Sequence, residues 1–264
     1  MLEPEPKPKK RPKPGRLLSQ ADLRSFQQLQ AQLGANAGIG VSEVGVSQPV
    51  QSAGSLTVGP AWSTMKVPIS LALLAQTGGQ LDASQQALMG SAITASDNAA
   101  IAQLWTQLGP PATAGQKVQQ VLAQAGDPST QVQTQVTRSE FSSYGQTMWP
   151  IVQQTQFVAA LPCLPDSGPV MDLMGQIRSD QRWGLGAAGA QSAQFKGGWG
   201  PEPSGAYLAR QMGVLRVNGK LIAVTVAAIP SDGSFATATA DLTRIASWLI
   251  EHVNTAAASS QPRC

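Results

Sequence analysis

Histidine is nearly absent from this chain. One stands among 264 residues, His252, close to the C-terminus. A lone histidine so near the end argues against a Ser-His-Asp hydrolase, which needs an imidazole to take the serine proton, and a His-built metal centre needs several. No metal or cofactor is expected. Cysteine is almost as scarce. Cys163 lies in a proline-flanked loop, and Cys264 ends a polar tail 101 positions later. The two read equally as a disulfide closing a long loop in an oxidising compartment or as unrelated thiols. Aromatics make up 5% and charged residues 12% of the chain. No apolar run reaches about 18 residues, the length a membrane-spanning helix needs. No signal-peptide pattern is read at the start, so any signal or anchor is expected upstream.

The net charge of +3 is not a nucleic-acid signal. Residues 1–16 alone carry a net of +4, and the remainder carries 12 basic and 13 acidic residues. A near-neutral body offers no basic face to track phosphates, so no nucleic-acid partner is expected. Proline alternating with charge predicts a disordered tail over 1–17. It reads as a solubilising leader, or as a spacer that touches anionic headgroups near a membrane.

Along the body, Ser19 with Asp22 three residues later predicts a capped helix through Leu23, Phe26, Leu29 and Leu33, stopped at Gly34. Two strands are expected at 38–45 and about 50–58, then a helix from Ser63 to about Gln76. From about 84 to 183 the pattern is mostly helical, broken at Gly109, Gly126 and Pro162. Strand signals return at 194–196. Asn218-Gly219 between two apolar runs predicts a tight hairpin over 212–229, and a final amphipathic helix spans about 236–253. This order predicts an α/β fold. Segments 18–60 and 190–255 form an antiparallel sheet flanked by terminal helices. An inserted all-helical lobe spans 61–189, the site lies at the lobe interface, and a C-terminal tail covers 256–264.

Two of the body's lysines sit in short motifs that fit together. Ser63-Thr64-Met65-Lys66 opens an apolar run, Ser96-Asp97-Asn98 follows 33 positions after Ser63, and Lys196-Gly197-Gly198 begins the last third. A serine hydroxyl is a weak nucleophile until a base takes its proton. Lys66 lies one helical turn after Ser63, and desolvation would lower its pKa enough to make it that base. The helix N-terminus brings backbone N–H groups towards an acyl oxygen. Ser96 would pass a proton to the leaving group, and Asn98 would hold substrate or Lys66. Lys196 would attract an anion, and the glycines would let substrate approach the strand. Each motif also has a plain reading: a surface lysine, a helix cap, a strand lysine beside a bulge.

Taken in order, the motifs resemble those of the serine β-lactamase and penicillin-binding-protein superfamily, and within it the class A β-lactamases. The likeness runs through Ala61 to Pro68, Gly90 to Ala99, Gln181 to Gly186 and Phe195 to Trp199. It implies a nucleophile at Ser63, a general base or proton shuttle at Lys66 and a second serine at Ser96. It also implies an oxyanion hole from the N–H groups of Ser63 and Trp199. Arg210 falls where some class A enzymes keep an arginine for the substrate carboxylate. Two departures stand out: the spacing from Ser63 to Ser96 is short, and Gly197 replaces a hydroxyl residue that binds that carboxylate. Arg138-Ser139-Glu140 resembles the motif bearing the deacylating glutamate. Thr137 with Glu140 also reads as a capping box opening a helix through Phe141, Met148 and Val152, and that is the reading expected here. Tyr144 stands where the resemblance implies an asparagine.

Two functions follow. One is a serine acyl hydrolase of β-lactamase or D-Ala-D-Ala peptidase type, stronger in acylation than in deacylation. The other is a catalytically inactive cell-envelope protein that binds cell-wall material or a partner. Both imply an extracytoplasmic monomer whose ligand is a cell-wall peptide or a β-lactam.

Overall fold

The computed structural model describes residues 16–264. Residues 1–15, most of the expected tail, lie outside the described residues. Leu17 already belongs to the core: it is 3% exposed, and its N–H donates to Gln51 at 2.7 Å. Helix α1 (Gln20–Leu33) has the expected capping box of Ser19 and Asp22 and ends at Gly34 in the left-handed conformation. Strands β1 (Asn36–Glu43) and β2 (Gln51–Gly54) follow. A short β3 (Val58–Pro60) pairs with β4 (Met148–Pro150), so the expected second strand is split. The helical lobe holds α2 (Lys66–Gln76), α3 (Ala83–Thr94), α4 (Asn98–Gln107) and α5 (Pro111–Gln124). Helices α6 (Ile151–Ala160) and α7 (Gly168–Met174) come next, then β5 (Ser192–Pro201), β6 (Tyr207–Val217), β7 (Lys220–Ile229) and α8 (Phe235–His252).

The main sheet is antiparallel in the order β2-β1-β7-β6-β5, which leaves β5 on an edge facing the helical lobe. The β6–β7 turn has Asn218 and Gly219 at φ +49° and +75°, the pair of left-handed residues that a type I′ hairpin demands. Helices α1 and α8 cover one face. On the other lies α6, expected within the helical lobe, packed instead on β1, β6 and β7. Glycines in β1 permit this approach, since a Cβ on Gly40 would come within 2.1 Å of the Thr155 hydroxyl on α6. Strand β1 is consequently buried on both faces. In the helical lobe, α2 is buried all round from Lys66 to Leu74, as a central helix must be.

Two expectations are corrected. The C-terminal segment 256–264 is no free tail. Cys264 is disulfide-bonded to Cys163, Arg263 bridges to Gly45, and its guanidinium lies 3.0 Å from the buried Glu43 carboxylate. The second concerns Thr137–Glu140, where no helix starts; the next α-helix begins at Ile151. The cause is Gln146. Its side-chain oxygen accepts from the Thr137 hydroxyl and the Arg138 N–H, and its amide donates to the carbonyls of Arg138, Phe141 and Ser142. Those carbonyls are the acceptors that a helix over the same residues would need.

Candidate active site

Ser63 sits on a one-turn 3-10 segment, Trp62–Met65, that runs straight into α2. The preceding Trp62 has φ +49°, a left-handed conformation costly for a bulky residue. The turn is pinned from several sides. Ala61 N–H donates to Thr147 O at 2.7 Å. The Thr64 hydroxyl donates to Ala61 O at 2.6 Å and accepts from the Gln154 amide at 2.9 Å. Gln154 in turn accepts from Arg210.

Arg210 does not reach the cleft. It is 1% exposed, and its guanidinium donates to Gln154 and to the carbonyls of Gly59, Pro60 and Trp149. These five bonds use all five of its donors. The implied carboxylate-binding role is corrected: Arg210 fixes the backbone on which Ser63 stands.

Lys66 opens α2 and is 1% exposed. Its Nζ lies 3.0 Å from Ser63 Oγ, 2.5 Å from Ser96 O, 3.0 Å from Ser96 Oγ and 2.8 Å from Asn98 Oδ1. Burial lowers its pKa to about 7, with Asp97 pulling weakly the other way. The neighbours suit a neutral amine. Two of them, a carbonyl and an amide oxygen, can only accept, which matches the two protons of –NH2 and leaves its lone pair facing a serine hydroxyl.

Ser96 sits in the bend between α3 and α4 at φ +57°. That left-handed twist turns both its carbonyl and its hydroxyl onto Lys66. Asp97 takes the plain role of a helix cap, accepting from the N–H groups of Ala99 and Ala100. From the far side, Lys196 Nζ on β5 reaches Ser96 Oγ at 2.9 Å and Gly197 O at 2.9 Å. Lys196 is fully buried, and burial, reinforced by Lys66, pushes its pKa well down. Two lysines thus flank one hydroxyl, which can accept from one and donate to the other.

Strand β5 meets the Ser63 turn at Gly198. A Cβ there would stand 2.8 Å from Ser63 N and 2.7 Å from Ala61 O, so no other residue fits without moving the turn. Gly197 faces the opposite side of the strand, where a Cβ would meet the Trp183 indole at 3.1 Å. Ser63, Lys66, Asn98 and Trp199 line one cleft of about 400 Å³, together with Glu140. Among the described residues, Glu140 is the one carboxylate lining it. It is exposed, and its side-chain contact is a 3.4 Å hydrogen bond from Ser139.

Sequence reasoning missed Gln154 and Thr64, which tie Arg210 to the Ser63 turn, and Phe141 and Tyr207, which wall the cleft. Gln154 carries no local signal, because its partners are 56 and 90 positions away.

No family model matches this sequence, and no curated protein matches it. Solved structures do. A class A β-lactamase from Bacteroides cellulosilyticus DSM 14838 superposes with a TM-score of 0.71 at 15% identity, covering 88% of this chain and 97% of its own. A β-lactamase from Chitinophaga pinensis DSM 2588 gives 0.70 at 13% identity, over 88% and 99%. A class A β-lactamase from Mycobacterium abscessus gives 0.69 at 15% identity, over 87% and 98%. The fold is that of the serine β-lactamase superfamily.

Proposed function

From the serine β-lactamase fold and the geometry at Ser63, we propose that this chain is a serine acyl hydrolase that works through an acyl-enzyme. The observation that carries the reading is the buried Lys66 amine 3.0 Å from Ser63 Oγ, with a pKa brought to about 7. Lys66 accepts the Ser63 proton as Oγ attacks the carbonyl carbon of an amide, ester or β-lactam. The N–H groups of Ser63 and Trp199 stabilise the oxyanion. The proton passes through Ser96, held between Lys66 and Lys196, to the leaving nitrogen or oxygen as its bond to carbon breaks. Asn98 orients the Lys66 amine.

Release of the acyl group is the weaker half. Glu140 is the candidate base for the hydrolytic water, but its side chain lacks the partners that would aim it. General-base catalysis depends on that positioning, so turnover is slow and the acyl-enzyme accumulates. A cell-wall peptide or a β-lactam is a chemically competent donor. The Cys163–Cys264 disulfide supports an extracytoplasmic setting. Among the described residues no helix is long and apolar enough to cross a membrane.

The test is intact-mass analysis after incubation with a reactive penicillin and, separately, with an activated carboxylic ester. A single adduct that disappears in Ser63→Ala is expected. No adduct with either class of donor, or an adduct that survives in the alanine variant, removes the hydrolase reading and leaves a binding protein.

A further inference from the structure

The walls of the cleft carry more information about its ligand than the catalytic groups do. One wall is a run of rings along the β5 edge. Trp199 lies 5.5 Å from Phe235 and 5.8 Å from Trp183, and Tyr207 lies 5.8 Å from Phe235. Trp183 fills the space that a side chain at Gly197 would take, and Gln211 holds it there by donating to its carbonyl at 2.8 Å. The facing wall is Trp62 against Phe141, centroids 5.0 Å apart in an edge-on arrangement. Trp62, Phe141, Trp199 and Tyr207 all line the cleft.

Charge points the same way. Among the described residues, Glu140 is the one acidic group lining the cleft, and the one basic group, Lys66, has its amine engaged by Ser63, Ser96 and Asn98. Arg210 is sealed in the core. Arg138 has its guanidinium carbon over the Phe141 ring, 4.5 Å from the centroid, and donates to Pro201 O at 2.5 Å. Its charge acts on Glu202, which neighbours Pro201. An incoming carboxylate would lose its water and meet aromatic faces and Glu140, with Arg210 sealed in the core and Arg138 turned onto Phe141 and Pro201. An aromatic or apolar acyl group would find the three partly exposed rings of Phe141, Trp199 and Tyr207.

We propose that this cleft prefers neutral acyl compounds bearing an aromatic or apolar group to their carboxylate-bearing counterparts, with Phe141 and Tyr207 as specificity-determining residues. This deepens the hydrolase reading and, for its acylation arm, rests on it. With a neutral aryl ester, the Ser63 Oγ–acyl bond forms and the acyl–oxygen bond of the ester breaks. The Ser63 proton ends on the departing alcohol.

Selection is measured first without chemistry, in Ser63→Ala, by the tryptophan fluorescence of the cleft. The ligands are N-phenylacetylglycine and its methyl ester, which differ only in the free carboxylate. The ester is expected to bind at least about tenfold more tightly. Equal or tighter binding of the acid, or no binding of either, overturns the proposal. Phe141→Ala and Tyr207→Ala, each combined with Ser63→Ala and checked by thermal melting, are expected to weaken ester binding, whereas Tyr207→Phe keeps it. An ester preference untouched by both alanine changes overturns the role of these two walls. The unmodified protein is then incubated with p-nitrophenyl phenylacetate. A Ser63 adduct supports both readings. Retained ester preference with no adduct removes the hydrolase reading alone and leaves the selectivity standing.

Discussion

The two ends of the cleft are built differently. At the acylation end, Lys66 has four polar partners, Ser96 is held by two lysines, and Gly198 fits against the nucleophile turn with no room for a Cβ. At the other end, Glu140 sits exposed on an irregular loop with one long hydrogen bond. The first is fixed by buried groups that over-determine one another, as strained functional sites require. The second is set by a loop that Gln146 ties together while leaving Glu140 free. Under the proposed function, preorganisation is thus concentrated on forming the acyl-enzyme, and little is spent on breaking it down.

The largest effect should come from the base. Lys66→Ala is expected to slow acylation of Ser63 by about 10³-fold or more, followed by leaving-group release and intact mass, with the fold retained in circular dichroism. Normal acylation in that variant would leave the Ser63 proton without an acceptor and dissolve the contrast.

The pH profile comes next. A lysine whose pKa lies at about 7 in the folded protein is protonated below that pH and a free base above it. Acylation should therefore rise about tenfold per pH unit below about 7 and level off above it, because the fraction of free amine does. A profile still climbing at pH 9 would show that Lys66 keeps its ordinary pKa.

Glu140→Gln sharpens the other side of the comparison. Acylation should be unchanged, and the lifetime of the acyl-enzyme should lengthen by about tenfold, less than a well-aimed base would give. A lifetime unaltered by the substitution would mean that water attacks without this carboxylate.

The smallest effect on chemistry is expected at the C-terminus. Cys163→Ser opens a disulfide spanning 101 positions and should cost about 2–5 kcal/mol of stability. It should leave acylation rates within about twofold in the folded protein. A large loss of rate would show that the pinned tail acts on the cleft.

Much of this arrangement was legible in the sequence because it rests on local rules. The Ser19–Asp22 capping box, the Gly34 stop and the Asn218-Gly219 hairpin each follow from a few neighbouring residues. The placing of Lys66 one turn after Ser63 is helical periodicity and nothing more. The Thr137–Glu140 motif obeyed the same local rule and misled, because a residue outside the motif, Gln146, took the backbone carbonyls that a helix needs.

By itself, then, the sequence determined the element order, the sheet with its inserted helices, and the set Ser63, Lys66, Ser96 and Lys196. Tertiary structure alone decided the rest: that Lys66 is stripped of water, that Arg210 braces the nucleophile turn instead of facing substrate, that Trp183 fills the place beside Gly197, and that Cys163 meets Cys264. The physical reason is common to all four. Burial, and the pairing of groups up to 151 positions apart, are properties of the packed chain, and no window of neighbouring residues contains them.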